Sequence, residues 1–356
     1  MSNQKALIAM SGGVDSSVAA FLMKERGYEC IGATMKLHDN TKEDMENEKT
    51  CCSLSDVEDA KAVSYKLHMP YYVFNYKDQF EKAVISKFIS SYESGATPNP
   101  CIDCNRFLKF NLLLNRAKEL YCDYVITGHY ARVEFNGERY ILKKGMDETK
   151  DQSYVLYFLS QSQLSRIQFP LGEYRKSEIR KIAEENGFVN AAKKDSQDIC
   201  FVPDGDYAKF IENYTGKRYE AGDFVSTNGE VLGKHKGIIR YTIGQRKGLG
   251  ISSDKPLYVC SKNVEENTVT LGSSESLFTS EIIADDINLI SVASIESPIH
   301  VKAKTRYNMK EQPCTVTQLD ENHLKIVFDE PQRAITKGQA VVLYDGDIIV
   351  GGGTIK

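Results

Sequence analysis

The chain has 356 residues, of which 41% are apolar and 26% charged, and a net charge of −4. That length exceeds one ordinary core, so two or three domains are expected; no apolar run reaches membrane-spanning length. The mild acidity excludes a globally basic nucleic-acid binder and leaves only local basic patches for that role. The first residues, MSNQKALIAM, run straight into an apolar strand pattern with no room for a targeting segment, so a cytoplasmic chain with no membrane contact is expected. Nine cysteines, an odd number, then read as thiols or metal ligands rather than a disulfide framework.

In chain order, Leu7, Ile8 and Ala9 suit a buried parallel strand, and Gly12 and Gly13 a sharp turn. Val14, Val18, Phe21 and Leu22 recur at helical spacing up to Gly27. Backbone N–H groups at that helix start, with the hydroxyls of Ser11, Ser16 and Ser17, predict a cradle for phosphate. It is not a Walker A loop, because no G-K-[ST] follows. A second strand over 28–37 ends near Met35, which could pack on an adenine ring or simply fill core. Residues 38–52 form a polar, acidic loop closed by Cys51 and Cys52, which read as structural thiols. Ser55 and Glu58 suggest a capping box opening a helix through Leu67. A third strand is expected over 71–76 and a helix over 78–92.

The stretch ATPNPCIDCN, 96–105, carries two prolines that argue for an exposed loop. On it Cys101 and Cys104 form a C-x-x-C pair at the start of a helix over 106–121, where a helix N-terminus favours reactive thiolate. Incidental thiols or half a zinc site are the alternatives, and no second pair stands at zinc-ribbon spacing. A fourth strand, 123–127, runs into Gly128, suited to close ligand approach, and His129, which fits either RNA contact or a structural role. A hairpin over 132–142 turns at Asn136–Gly137. A helix is expected from the polar head Lys150–Ser153 through Leu164, and another over 176–186. Cys200 follows in DSQDICF, 195–201. Three cysteines on two loops beside a nucleotide site are a sulfur-handling combination.

After Pro203 the strand–helix alternation stops. Residues 231–253 carry Lys234, Lys236, Arg240, Arg246 and Lys247 and no acid, which suits phosphate-backbone contact. From about Ser274 short strands predict a small barrel or sandwich, on which Arg306, Tyr307 and Gln339 could face RNA.

SGGVDS, 11–16, is similar to the signature of the PP-loop ATP pyrophosphatases. With TPNPCIDCN, TGHYA, KDQSY, DSQDICF and RYTIGQRKGLG in order, the whole chain resembles the bacterial tRNA-specific 2-thiouridylase family, MnmA/TrmU. The resemblance implies an α/β fold. A doubly wound parallel-sheet PP-loop domain (adenine nucleotide alpha hydrolase-like, 1–203) would precede a small central domain (204–273) and a C-terminal all-β barrel (274–356). It implies ATP-dependent 2-thiolation of the wobble uridine in tRNAs for Lys, Glu and Gln. ATP, with Mg²⁺, would be held by Ala9, Met10, Ser11, Gly12, Gly13, Val14, Asp15, Ser16, Met35 and Gly128. Asp15, a carboxylate that repels phosphate, would orient the loop or bind Mg²⁺. Cys104 would be the nucleophile and Cys200 the persulfide carrier. Asn99, Pro100, Cys101, His129, Lys150, Asp151, Gln152, Arg306, Tyr307 and Gln339 would face tRNA. Sulfur would come from a cysteine desulfurase or relay protein. Many members carry Asp where this chain has Cys101, so Cys101, Cys104 and Cys200 also resemble the three-cysteine site of thiolases that hold a 4Fe–4S cluster. A PP-loop synthetase acting on a small molecule would share Ser11–Ser17 but would need neither cysteine nor the basic stretch.

Overall fold

The computed structural model describes residues 4–38, 54–195 and 199–356. Residues 39–52 of the acidic loop, with Cys51 and Cys52, lie outside the described residues, as do 196–198 of DSQDICF. Strands β1 (Lys5–Ala9), β2 (Glu29–Lys36), β3 (Tyr71–Asn75), β4 (Tyr124–Ile126), β5 (Ala131–Phe135), β6 (Tyr140–Lys144) and β7 (Ile167–Gln168) belong to the first half of the chain. Five of them form one parallel sheet in the order β3-β2-β1-β4-β7. The chain leaves β1 towards β2 on one side and returns as β4 on the other. The carboxyl end of β1 is therefore a topological switch point, where ligands bind in open α/β sheets. Helices α1 (Val14–Glu25) and α2 (Leu54–Lys66) pack beside it. Ser55 lies inside α2 rather than at its cap.

The helical stretch α3 (77–93) contains a π-type segment, Glu81–Ile85. Stretch α4 (100–119) contains another, Cys104–Leu112, directly after the C-x-x-C pair. Such i→i+5 turns are rare and concentrate at functional sites. The prolines do not keep 96–105 wholly in a loop. Pro100 sits at the first helical position, where its missing N–H costs nothing, and Asn99 caps the helix by accepting from the Cys101 N–H at 3.2 Å.

The helix expected over 150–164 is a 3₁₀ turn, Ser153–Leu156, and a one-turn helix, Gln161–Leu164, opened by a Ser160 capping box. Tyr154–Leu159 is apolar on every side and fully buried, so it has no solvent face for an amphipathic helix to present. It plugs the gap between the sheet domain and the barrel, with the Tyr154 hydroxyl donating to the Ala340 carbonyl.

Helix α5 (Lys176–Glu185) ends at Gly187 as the sequence suggests, and α6 (Tyr207–Thr215) opens the central region. There β8 (Gly222–Ser226), β9 (Val231–His235), β10 (Tyr258–Asn263) and β11 (Thr268–Gly272) form a four-stranded sheet in the order β10-β11-β8-β9. It leans on α3 through stacked Tyr92 and Tyr207 rings and through Glu93, which accepts from Lys217 and Tyr219.

The last strands are β12 (Phe278–Leu289), β13 (Ile299–Lys304), β14 (Gln312–Gln318), β15 (Leu324–Arg333), β16 (Ala340–Asp345) and β17 (Ile348–Ile355). They pair antiparallel as β12-β15-β14-β13-β16-β17, and β12 pairs again with β17, closing a barrel. The hairpin β5–β6 joins this barrel through Ile348 of β17 and not the parallel sheet. Arg132 on Asp347 and Lys144 on Glu311 pin it there. The chain thus stitches its first and last domains together.

Candidate functional site

At the β1 switch point Gly12 turns with φ +76, and a Cβ there would lie 2.3 Å from the Asp56 carbonyl oxygen of α2. Only glycine allows that turn and that approach together. Gly13 caps α1 without a side-chain hydrogen bond, so first-turn N–H groups remain for an anion. The hydroxyls differ from the expected cradle. Ser16 Oγ accepts from Ser11 N–H at 3.1 Å and donates to the Gly13 carbonyl at 3.0 Å. Ser17 Oγ also donates to Gly13 and accepts from Asn190. Both brace the loop from inside; Ser11 is the exposed one. The side chains of Met10, Val14 and Met35 are buried, Met35 within the main core. The loop therefore offers a ligand Ser11 and backbone. Gly128 presses on it: a Cβ there would sit 2.8 Å from the Asp15 carbonyl carbon.

Asp15 is not free for a metal. Lys176 Nζ donates to both its carboxylate oxygens at 2.7 Å, and the Tyr130 hydroxyl donates at 2.7 Å. Burial and the Asp15 carboxylate beside it push the Tyr130 phenol far up. Lys176 reaches on to Asp195 at 2.8 Å, which also pairs with Lys150 at 2.7 Å and Arg180 at 3.1 Å. Burial works to raise the Asp195 carboxyl, but hydrogen bonds from Lys150 and Lys176 and their charges outweigh it, and its pKa lies below the ordinary value. Of the two roles read for Asp15, the geometry favours orienting the loop, with its charge neutralised by Lys176.

Sequence reasoning missed Lys176, Tyr130, Asn190 and Asp195 as site residues. Tyr130 and Asp195 stood inside quoted motifs. Lys176 looked like any solvated helix-start lysine, and Asn190 carried no signal. Asn190 is buried; its Nδ2 holds the Gly12 carbonyl and Ser17 Oγ at 2.9 Å, while its Oδ1 has no partner among the described residues.

The residues expected at tRNA divide. Asn99, Pro100 and Cys101 come together with Tyr307 and Asp151. The Tyr307 hydroxyl donates to the Asp151 carbonyl at 3.0 Å; burial, Asp151 and the nearby Cys101 thiol push its pKa up to about 12. The Asp151 carboxylate is half-buried and accepts from Gly145 and Ser153, and the Gln152 side chain accepts from Tyr130 N–H. Arg306 Nη2 donates to Ile243, Ala334 and Thr336, and Gln339 Nε2 to the Thr97 and Pro98 carbonyls. For His129 the surroundings favour the structural one of its two readings. Its ring is buried among Phe110 and Phe169 and bonded to Thr127, and burial lowers its pKa far enough to keep it neutral.

Cys101 is exposed, and Cys104 and Cys200 are half-buried. Among the described residues no group of three or more His, Cys, Asp and Glu side chains is placed to hold a metal ion. In the basic stretch, Lys234 pairs with Asp223 and Arg240 with Glu212. Lys236, Arg246 and Lys247 are exposed and make no ion pair among the described residues.

A parallel sheet with an uncapped glycine loop at its switch point, followed by a four-stranded β unit and a closed barrel, defines a multidomain α/β protein with an anion-binding loop at the carboxyl end of β1. Three family models match successive stretches of the chain. A tRNA methyl transferase HUP domain matches residues 4–204, a tRNA methyl transferase PRC-barrel domain 208–273, and an aminomethyltransferase β-barrel domain 279–355. The tRNA-specific 2-thiouridylase of Clostridioides difficile is 52% identical across 99% of this chain and 98% of its own. That of Acetivibrio thermocellus is 52% identical across the full length of both. Among solved structures, a 4-thiouridine synthetase–RNA complex overlays with TM-score 0.37 at 18% identity, over 59% of this chain and 50% of that one. The chain belongs to the tRNA-specific 2-thiouridylase family.

Proposed function

We propose that this protein is an ATP-dependent tRNA uridine 2-sulfurtransferase, acting in the cytoplasm on the wobble uridine of tRNAs for Lys, Glu and Gln. The observation that carries the reading is the ion-pair chain Asp15–Lys176–Asp195. It ties the ATP loop to the first residue of the motif that holds Cys200. In this reading residues 1–203 do the chemistry, while 204–273 and 274–356 hold tRNA. The uridine C2 oxygen attacks the ATP α-phosphorus and pyrophosphate leaves, stabilised by the α1 N–H groups. Mg²⁺ carried in on the triphosphate supplies further charge stabilisation when bound. A Cys200 persulfide, loaded by a desulfurase or relay protein, attacks C2 through its terminal sulfur and AMP leaves. Cys104 thiolate then attacks the Cys200 sulfur, forming a Cys104–Cys200 disulfide and freeing the thiocarbonyl. A two-electron reduction of that disulfide resets the enzyme. The base reaches the site from an anticodon loop, where unstacking costs less than in a duplex.

The test is a thiolation assay with ATP and a persulfide donor, reading 2-thiouridine, AMP and pyrophosphate on wild type, Cys104→Ala, Cys200→Ala and Cys101→Ala, with iron measured on the same samples. One AMP per 2-thiouridine, lost only in the first two variants, is expected. AMP formation that ignores tRNA defeats the reading. Activity that tracks iron and vanishes in Cys101→Ala replaces the persulfide with a cluster.

A further inference from the structure

Cys101 and Cys104 stand at the end of a short arm, 96–100, and that arm is gripped from two sides. Gln339 Nε2 donates to the Thr97 carbonyl at 2.8 Å and to the Pro98 carbonyl at 3.3 Å. Thr97 N–H donates in return to the Lys337 carbonyl at 2.9 Å. Between them Gly338 turns with φ +88, and a Cβ there would meet the Ala96 Cβ at 3.0 Å and the Thr97 backbone at 3.3 Å. The barrel thus holds three consecutive residues, 96–98, by hydrogen bonds and by close approach. On the other side Gly95, φ +78, packs against Val264 just beyond β10, where a Cβ would meet it at 3.2 Å.

Beyond the grip the arm has little freedom. Pro98 and Pro100 have fixed φ, and the Asn99 side chain caps the helix that carries both cysteines. A displacement at Thr97 is therefore passed to Cys104 rather than absorbed.

We propose that Gln339, seated beside Gly338, is a positioning residue through which the C-terminal barrel sets the Cys101–Cys104 arm for sulfur transfer. The inference rests on the sulfurtransferase reading for its kinetic test and on the fold alone for its chemical one.

The experiment compares wild type with Gln339→Glu, which keeps the size of the side chain but loses the donor, with Gln339→Leu, and with Gly338→Ala. Single-turnover thiolation with enzyme saturating over tRNA is expected to slow by 10-fold or more in all three, because sub-ångström errors in a near-attack geometry have effects on that scale. tRNA Kd is measured separately, because saturating enzyme makes the single-turnover rate independent of affinity. In the free enzyme, iodoacetamide should alkylate Cys101 and Cys104 at rates that differ several-fold from wild type, while Cys200 keeps its rate. If tRNA affinity falls 10-fold with the single-turnover rate unchanged, Gln339 acts in tRNA binding alone and the proposal is wrong. A Gln339→Glu enzyme with wild-type rate and alkylation overturns it equally. Wild type that alkylates as expected yet never thiolates tRNA defeats the functional reading and leaves the positioning result standing.

Discussion

Replacing Lys176 with methionine isolates the charge logic of the ATP loop. The Lys176 side chain is 10% exposed and bridges two carboxylates, Asp15 and Asp195, at 2.7 and 2.8 Å. Breaking a buried pair by removing one partner costs about 3–5 kcal/mol when the other is left uncompensated. Here the residue left behind is only partly stranded. Asp195 keeps Lys150 and Arg180, whereas Asp15 keeps one hydrogen bond from Tyr130 and partial access to water. The cost should therefore fall to about 2 kcal/mol, comparable to one lost charged hydrogen bond. For a domain of this size that lowers Tm by roughly 4–8 °C. Binding should suffer separately, because an unneutralised carboxylate beside the α1 cradle repels a triphosphate. One charge at short range near a surface contributes on the order of 1–2 kcal/mol, or roughly 10-fold in ATP affinity. Differential scanning fluorimetry and equilibrium ATP binding read the two effects. Adding Asp15→Asn to Lys176→Met removes the stranded charge and should restore most of the lost affinity in a double-mutant cycle. A double variant that binds ATP no better than Lys176→Met, or a single variant with wild-type affinity, would refute the neutralisation argument.

Three further outcomes are expected. Gly12→Ala places a Cβ 2.3 Å from the Asp56 carbonyl oxygen at φ +76, so α2 or the loop must shift and ATP affinity should drop at least about 10-fold; retention of wild-type binding contradicts the close-approach reading. Burial pushes Lys262 down to about 8. The unfolded chain, with the ordinary lysine value near 10.4, then holds more protons between the two values, so this group adds about 3 kcal/mol of stability as pH rises from 8 to 10.5. Lys262→Met should remove that slope, so the Tm of the variant relative to wild type falls as pH rises from 7 to 10; a pH-independent difference would count against a buried, desolvated amine. Charge reversal at exposed Arg246 and Lys247 should weaken tRNA binding at least about 10-fold and flatten its dependence on log salt by about 2, whereas an unchanged slope places the RNA elsewhere.

The alternation of apolar runs with amphipathic stretches determined a parallel sheet, and the last runs of short strands determined a barrel, because periods of 2.0 and 3.6 residues are properties of local chain geometry. The glycine turn at 12–13 was legible for the same reason: its φ requirement belongs to the residue. The C-x-x-C pair was equally visible, although its helix begins earlier than the prolines suggested, since Pro100 occupies the one helical position that tolerates it. Only the tertiary structure decided where polar groups point. Ser16 and Ser17 turned inward, His129 sank among aromatic rings, and Arg306 and Gln339 spent their donors on the protein. Lys176 became a site residue because Asp15, 161 positions away, and Asp195 converge on it. The hairpin at 131–144 joined a barrel formed some two hundred residues later, a pairing that no local pattern encodes. Hydrogen bonds and ion pairs act over about 3 Å in space and are indifferent to separation along the chain; a polar residue's type is written locally, and its partner is chosen by the fold.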